Sequence, residues 1–366
     1  KYYMKIKKIA IIGLGYVGLP LAIGLSKHFK IVGFDLNIER IEQINQGIDV
    51  TREVENKTLK KVLKKQSVLF CSNETPLRDC NIFIVTVPTP VTEDNKPDFS
   101  PLIKACEIIS RNFKKNSVVV FESTVYPGAT QEICGKAIEK NSGFKMEKDF
   151  FLGYSPERIN PGDRVHTLEK ITKVISAEKP VIESLLKNIY SKLTSNIYIA
   201  KNIKVAEASK VIENAQRDIN IAFINEITKI SNKLNLSIYD VLEASLTKWN
   251  FLDFTPGLVG GHCIGVDPYY IATKARNIGI EPKVILAGRK INDEMSQYIG
   301  NEINKKIKKK SNILILGLSF KEDVPDTRNS KVIDLVEFFI QNKHNLTLCD
   351  PLINEKNILN KKIIKD

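Results

Sequence analysis

The chain is predicted to be an α/β protein, with an N-terminal doubly wound parallel sheet, a central long-helix region, and a second sheet of the same kind opening near its end. Three observations carry this prediction. A strand, glycine turn, helix and second strand fill residues 8–35; a run without Gly or Pro keeps helical spacing over 203–234; and the opening unit is echoed late in the chain, "IAIIGLG … IVGFD" against "ILILGLS … LTLCD". Strands alternating with helices bury both faces of a parallel sheet.

The elements follow in order. The apolar run 9–12 reads as a strand, 20–28 as a helix and 31–35 as a second strand, with further strand-like runs at 82–87 and 118–121. Over 203–234, Val205, Ala208, Val211, Ile212, Ala215, Ile219, Ala222, Phe223, Ile227 and Ile230 recur at three- and four-residue spacing, giving one long helix or a closely coupled pair. More helix is expected through about residue 310. Such a middle joins two units and often supplies a dimer face, although a plain core helix fits the same spacing. A strand at 313–317, a helix at 331–341 and a strand at 346–349 then open the second unit. It stops after about two strands, too few for a stable sheet, so it is expected to be cut short. The expected division is 1–200, 201–310 and 311–366.

Composition narrows the class. At 366 residues, 43% hydrophobic and 27% charged, the chain has the size and balance of a soluble protein of two or three domains. No apolar stretch of about 18 residues is available for a membrane span, and the start lacks the shape of a secretory signal. The six cysteines are scattered without a CxxC pair, so neither a zinc site nor a disulfide framework is expected, and a reducing cytoplasm is the natural home. The net charge of +13 comes from lysines spread along the chain, which read as solvated faces rather than a nucleic-acid footprint.

Gly13-Leu14-Gly15-Tyr16-Val17-Gly18 is GxGxxG after a strand and before a helix, with Asp35 ending the next strand 22 residues after Gly13. That context is the dinucleotide fingerprint of a Rossmann-type fold. Gly13 makes the turn, Gly15 admits the pyrophosphate and Gly18 lets helix and strand pack closely, while Asp35 can accept from a ribose 2′-hydroxyl and repel a 2′-phosphate. NAD is therefore expected rather than NADP. The second unit has only Gly317 in the corresponding turn and should not hold a dinucleotide.

Three further constellations point to chemistry. The segment Pro256-Gly257-Leu258-Val259-Gly260-Gly261-His262-Cys263-Ile264-Gly265-Val266-Asp267 sets one cysteine among glycines, with a carboxylate four residues on. Such a loop lets backbone approach a ligand and presents the sulfur within reach; the other five cysteines read as small buried residues, and His262 as structural. Lys210 and Asn214 share one face of the long helix at i,i+4, where they are costly unless they meet a polar cavity; a solvated outer face is the alternative. Finally, loops carrying Val87 and Thr89, Thr124, and Glu157 and Arg158 lie at predicted strand ends, where open α/β sheets bind ligands.

Taken together, GLGYVGLP, STVYPG, SPERINPGD, EASKVIENAQRD, TPGLVGGHCIGVDPYY and SFKEDVPDTRNS occur in an order that resembles the UDP-glucose/UDP-N-acetyl-sugar 6-dehydrogenase family. The variants are most similar to UDP-N-acetylglucosamine and UDP-N-acetylgalactosamine dehydrogenases of Vi-antigen and O-antigen biosynthesis; UDP-glucose enzymes typically carry lysine where this chain has Val266. The resemblance implies a C-terminal UDP-binding domain, at least a homodimer, and oxidation of a UDP-N-acetylhexosamine to its uronic acid through a Cys263 thiohemiacetal and thioester. It implies that Lys210 and Asn214 stabilise the oxyanion, that Asp267 and Lys210 manage the C6 hydroxyl proton, and that Glu157 and Thr124 position the hydrolytic water; the division among Asp267, Lys210 and Glu157 stays open. It also implies contacts to the UDP-sugar from Glu157, Arg158, Lys210, Asn214, Lys248, Phe251, Gly257, Gly260 and Lys321, a contact to its acetamido or diphosphate group from Arg217, and contacts to NAD from Tyr16, Val17, Arg40, Val87, Thr89, Thr124 and Arg328. UDP-glucose and UDP-N-acetylmannosamine stay open as substrates. Rivals on the residues alone are a two-electron hydroxyacid dehydrogenase, an epimerase drawn from Tyr270 and Lys274, and a non-catalytic NAD-binding protein.

Overall fold

Eight short strands of the first half form one sheet in the computed structural model, which describes residues 5–159, 169–353 and 355–365. They are β1 (Ile9–Ile12), β2 (Ile31–Phe34), β3 (Val68–Cys71), β4 (Ile82–Val85), β5 (Ser117–Phe121), β6 (Phe150–Tyr154), β7 (Lys173–Ala177) and β8 (Ile197–Ile199), in the order β3-β2-β1-β4-β5-β6-β7-β8. Every neighbouring pair is parallel except β6 with β7. Side chains alternate across the sheet, so its continuous apolar runs feed two cores. Ile9, Ile11, Ile82, Ile84, Val118 and Val120 pack on one face with Leu19, Ile41 and Leu186. Ala10, Ile12, Phe83, Val85, Val119 and Phe121 pack on the other with Leu102, Ile109 and Cys134. The strand order reverses between β1 and β4, which puts the switch-point crevice of a doubly wound sheet at their carboxyl ends.

The chain separates into two compact units, Lys1–Val211 and Ile212–Asp366. One unbroken helix, Ile203–Lys233, runs through that boundary. Helices Ile238–Leu246, Asp267–Asn277, Lys283–Asp293 and Met295–Asn304 follow in the second unit, ending short of residue 310. None of the described helices is long and apolar enough to cross a membrane.

The second unit ends in a sheet of four strands, where the sequence suggested about two. Its members are β9 (Asn312–Leu316), β10 (Asn345–Cys349), β11 (Asn357–Ile358) and β12 (Lys361–Ile364), ordered β11-β12-β10-β9 around a small core of Leu318, Val336, Phe339, Leu348 and Ile363. The two unexpected strands are short, two and four residues, and pair antiparallel across Leu359 and Asn360. Both turn residues have positive φ, at 49° and 60°, the backbone of a two-residue hairpin turn. The first helix also differs, running Gly18–Leu25. Residues 26–29 close it in turns, with His28 and Phe29 both donating to the Leu25 carbonyl.

Candidate active site

Within the first unit, the glycine loop and the loop after β4 meet at the switch point. Gly13 has φ +95°, and a side chain there would press on Val87 N at 3.1 Å. A Cβ on Gly18 would lie 1.9 Å from the Gly13 carbonyl oxygen, so this glycine is dictated by the packing of helix on turn. Gly15 differs: a Cβ there meets nothing within 4 Å. The helix starting at Gly18 has no side-chain cap at Val17; Leu19 N and Leu21 N turn back to the Gly15 and Val17 carbonyls, and the positive end of the helix dipole at Gly18 favours an anion. Asp35 Oδ2 accepts from Leu14 N at 2.7 Å and Oδ1 from Asn37 N at 2.9 Å, which fixes the carboxylate beside the loop. Arg40 lies underneath, its Nε donating to Leu14 O and its Nη2 to Asp49, while Nη1 is buried without a hydrogen-bond partner among the described residues. Open space over Gly15, a helix N-terminus without a side-chain cap and a carboxylate fixed at Asp35 are compatible with a dinucleotide.

The loops after β4, β5 and β6 share this edge. Ser123 Oγ donates to Val87 O at 2.6 Å, joining the loop of Val87 and Thr89 to that of half-buried Thr124. Glu207 on the long helix, three residues before Lys210, accepts from Gly128 N and Thr130 N and so anchors the Thr124 loop; burial pushes its carboxyl up to about 6.

Glu157 lies in a cluster that the sequence did not announce. Its Oε1 accepts from Arg158 N and Ile159 N, both at 2.7 Å, and its Oε2 accepts from Lys173 Nζ at 2.9 Å. Lys173, 1% exposed on β7, also donates to Glu122 at 2.8 Å, and Tyr190 Oη donates to the other Glu122 oxygen at 2.5 Å. Burial works against the Glu157 anion, but Lys173 and the two amides hold its carboxyl below the usual range. Burial wins at Glu122 and raises it, against the pull of Lys173. Removing one member of such a buried ionic group typically costs about 3–5 kcal/mol. The end of the SPERINPGD motif, from Asn160, lies outside the described residues.

In the second unit Cys263 is exposed, alone among the six cysteines: Cys80, Cys106 and Cys134 are buried, Cys71 and Cys349 half-buried. Its loop turns directly into helix Asp267–Asn277, with Asp267 N donating to Cys263 O at 2.8 Å. Asp267 is 2% exposed and accepts from Asn214 Nδ2 at 2.5 Å. The residues read as nucleophile support and acid–base group are therefore joined.

The glycines beside Cys263 behave unlike the expectation of open ligand approach. A Cβ on Gly260 would lie 2.3 Å from Asn329 O, and one on Gly261, at φ +81°, would lie 2.5 Å from the Phe320 ring. Gly261 N donates to Asn329 O at 3.1 Å, and His262 Nε2 pairs with Asp326 at 3.0 Å. Arg328, exposed, clasps the same carboxylate. Burial opposes the Asp326 anion, yet His262 and Arg328 hold it far below the usual carboxylate range. The cysteine loop is thus strapped to the 320–329 segment, which also carries Lys321.

Gly257 is different again. Asn225 bonds both its N and its O at 2.9 Å, no atom lies within 4 Å of an added Cβ, and a cavity of ≈ 340 Å³ lined by Thr228, Tyr239, Pro256, Met295 and Tyr298 opens beside it. Phe251 is half-buried against Ile224, Ile238 and Leu242, whereas Arg217 and Lys248 are exposed. Lys210 is buried, 8% exposed. Beyond Asn214, the same helix buries Asp218 and Asn225, which bond Arg289 and Asn292. Their spacing from Lys210 and Asn214 keeps the same helical phase, a signal present in the sequence but not drawn out. Glu122 and Lys173 carried no such signal, because each sits singly in an apolar strand region.

Comparison with known proteins identifies the family. Residues 7–194 match the NAD binding domain of the UDP-glucose/GDP-mannose dehydrogenase family, 204–294 its central domain and 314–365 its UDP binding domain. The chain is 48% identical over 363 residues to a UDP-N-acetyl-D-glucosamine 6-dehydrogenase of Pseudomonas aeruginosa, covering 97% of this chain and 85% of the relative. It is 46% identical over 358 residues to a protein of the same name from Salmonella typhi, covering 96% and 84%. The solved structure of a UDP-D-ManNAc dehydrogenase from Pyrococcus horikoshii superposes with a TM-score of 0.86 at 29% identity, covering 96% of this chain and 85% of that one. With all three family domains matched in order, the chain belongs to the UDP-glucose/GDP-mannose dehydrogenase family and is an NAD-dependent nucleotide-sugar dehydrogenase.

Proposed function

We propose that this enzyme oxidises C6 of a UDP-N-acetylhexosamine, UDP-N-acetylglucosamine or its galacto epimer, to the uronic acid in two steps. The observation that carries the reading is the exposed Cys263, on a strapped loop that runs into the Asp267–Asn214 pair. The names of the two relatives near half identity support the N-acetylhexosamine, as does Val266 before Asp267.

Bound NAD⁺ supplies a hydride acceptor, and two are consumed per uronic acid. Gly13, Gly15, Tyr16, Val17, Gly18, Asp35, Arg40, Val87, Thr89, Thr124 and Arg328 are its proposed contacts. Asp267, with Lys210 and a water, takes the proton of the C6 hydroxyl as C6 gives up its first hydride. The resulting aldehyde has no hydrogen that leaves readily until it becomes tetrahedral. The Cys263 sulfur adds to it, Lys210 and Asn214 stabilise the oxyanion, and the thiohemiacetal becomes a thioester on losing its second hydride. Water positioned by Glu157 and Thr124 releases the acid. Arg158, Arg217, Lys248, Phe251, Gly257, Gly260 and Lys321 hold the UDP-sugar in this reading.

The functional parts are proposed as an NAD-binding domain over 1–200, a central helical domain over 201–310 and the UDP-binding region over 311–366. A homodimer is proposed for the assembly; Phe223, Ile230, Leu234, Tyr239 and Leu246 leave an apolar surface along consecutive helices. A cytoplasmic location suits six cysteines outside any disulfide.

The test is NADH release with UDP-N-acetylglucosamine, UDP-N-acetylgalactosamine, UDP-N-acetylmannosamine and UDP-glucose in parallel. The first two should lead, each with two NADH per uronate. One NADH per product, or leadership by UDP-glucose, contradicts the proposal.

A further inference from the structure

The buried Lys173 cluster takes no part in binding or hydride loss as described above, yet charges sealed from water are retained only at a cost. Its geometry suits the last step. An ionised carboxylate offers about four acceptor positions. At Glu157 three are taken, by Arg158 N, Ile159 N and Lys173 Nζ. Among the described residues the remaining position is on Oε2, the oxygen that Lys173 holds. Lys173 is itself fixed from behind by Glu122, which Tyr190 holds in turn, and its Nζ lies 5.3 Å from the Tyr190 ring centre.

We propose that Lys173, backed by Glu122 and Tyr190, is a positioning residue for thioester hydrolysis: it orients Glu157 so that one oxygen directs the attacking water. In that step the water oxygen bonds the acyl carbon and the carbon–sulfur bond breaks with its electron pair returning to sulfur. One water proton passes to Glu157 and on to solvent, and the acid loses the other to solvent. No electrons are transferred. The inference rests on the covalent reading above.

The experiment uses the full chain with NAD⁺ and UDP-N-acetylglucosamine, following NADH in stopped flow and the mass of quenched protein. Lys173→Met should give a burst of two NADH per site and then turnover slowed roughly 30-fold, within the range of acid–base contributions. Cys263 should then carry an acyl adduct, and Lys173→Arg should restore most of the turnover. Without its cationic neighbour Glu157 faces Glu122, Tyr190 and the adjoining Arg158, so the acid limb of the hydrolytic rate should move to higher pH. The near-isosteric Glu122→Gln strands no second carboxylate and should show the same burst with a smaller slowing, which keeps the test decisive if Lys173→Met folds poorly. Full turnover in both variants, or slow turnover without burst or adduct, overturns the inference. If wild-type enzyme traps an adduct in hydroxylamine-free quench while the variants do not, the inference alone fails. If Cys263→Ser still makes uronate, the covalent reading fails and takes the inference with it.

Discussion

Set side by side, the loop 13–18 and the loop 257–265 use the same residue for different ends. In the first, Gly18 is required by protein packing and Gly15 faces open space; in the second, Gly260 and Gly261 are required by packing and Gly257 faces open space. A glycine-rich stretch in a sequence therefore mixes two demands. The space around the missing Cβ separates the glycines that packing requires from those it does not.

Alanine substitutions sharpen this contrast, in descending order of effect. Gly18→Ala forces a Cβ against the Gly13 carbonyl and should cost about 3 kcal/mol, read by thermal unfolding, with NAD⁺ binding lost. Gly260→Ala pushes against Asn329 and should cost about 2 kcal/mol; turnover should fall sharply while NAD⁺ affinity, measured by calorimetry, is unchanged. Gly15→Ala should leave unfolding unaltered and weaken NAD⁺ about tenfold, or about 1.4 kcal/mol. If Gly15→Ala destabilised the fold as much as Gly18→Ala, the distinction would break.

The smallest effect concerns the strap on the cysteine loop. Asp326 has its carboxyl depressed by His262 and Arg328 against the effect of burial. Such a group contributes stability that is present above its unfolded value and lost as pH falls through its folded value. Asp326→Asn should therefore lower stability near neutral pH by about 1 kcal/mol and flatten the acid limb of the unfolding profile, read by pH-dependent melting. An unchanged acid limb would remove Asp326 from the strap.

Much of this was legible beforehand. The fingerprint at Gly13–Gly18 with Asp35, the long helix and the Cys263 loop each depend on local pattern, which sequence displays directly. The strands β3, β7 and β8 were not read: β3 is only four residues long, Lys173 opens β7, and β8 spans three residues. Lys173 looked like one more surface lysine in a chain with a +13 charge; only the fold brings Glu122 from the loop after β5 and Glu157 from the loop after β6 to it. Likewise, nothing near Gly260 foretold that Asn329 would occupy the space a side chain needs. Long-range burial, unlike periodicity, is written in pairs of residues far apart.

A covalent bond to Cys263 would be seen by mass spectrometry of enzyme quenched during turnover with UDP-N-acetylglucosamine and NAD⁺. The peptide containing Cys263 should carry a substrate-derived acyl group that hydroxylamine discharges, and Cys263→Ser should form no uronate although it still binds both ligands. Uronate formed by Cys263→Ser at the wild-type rate would contradict a covalent role for Cys263.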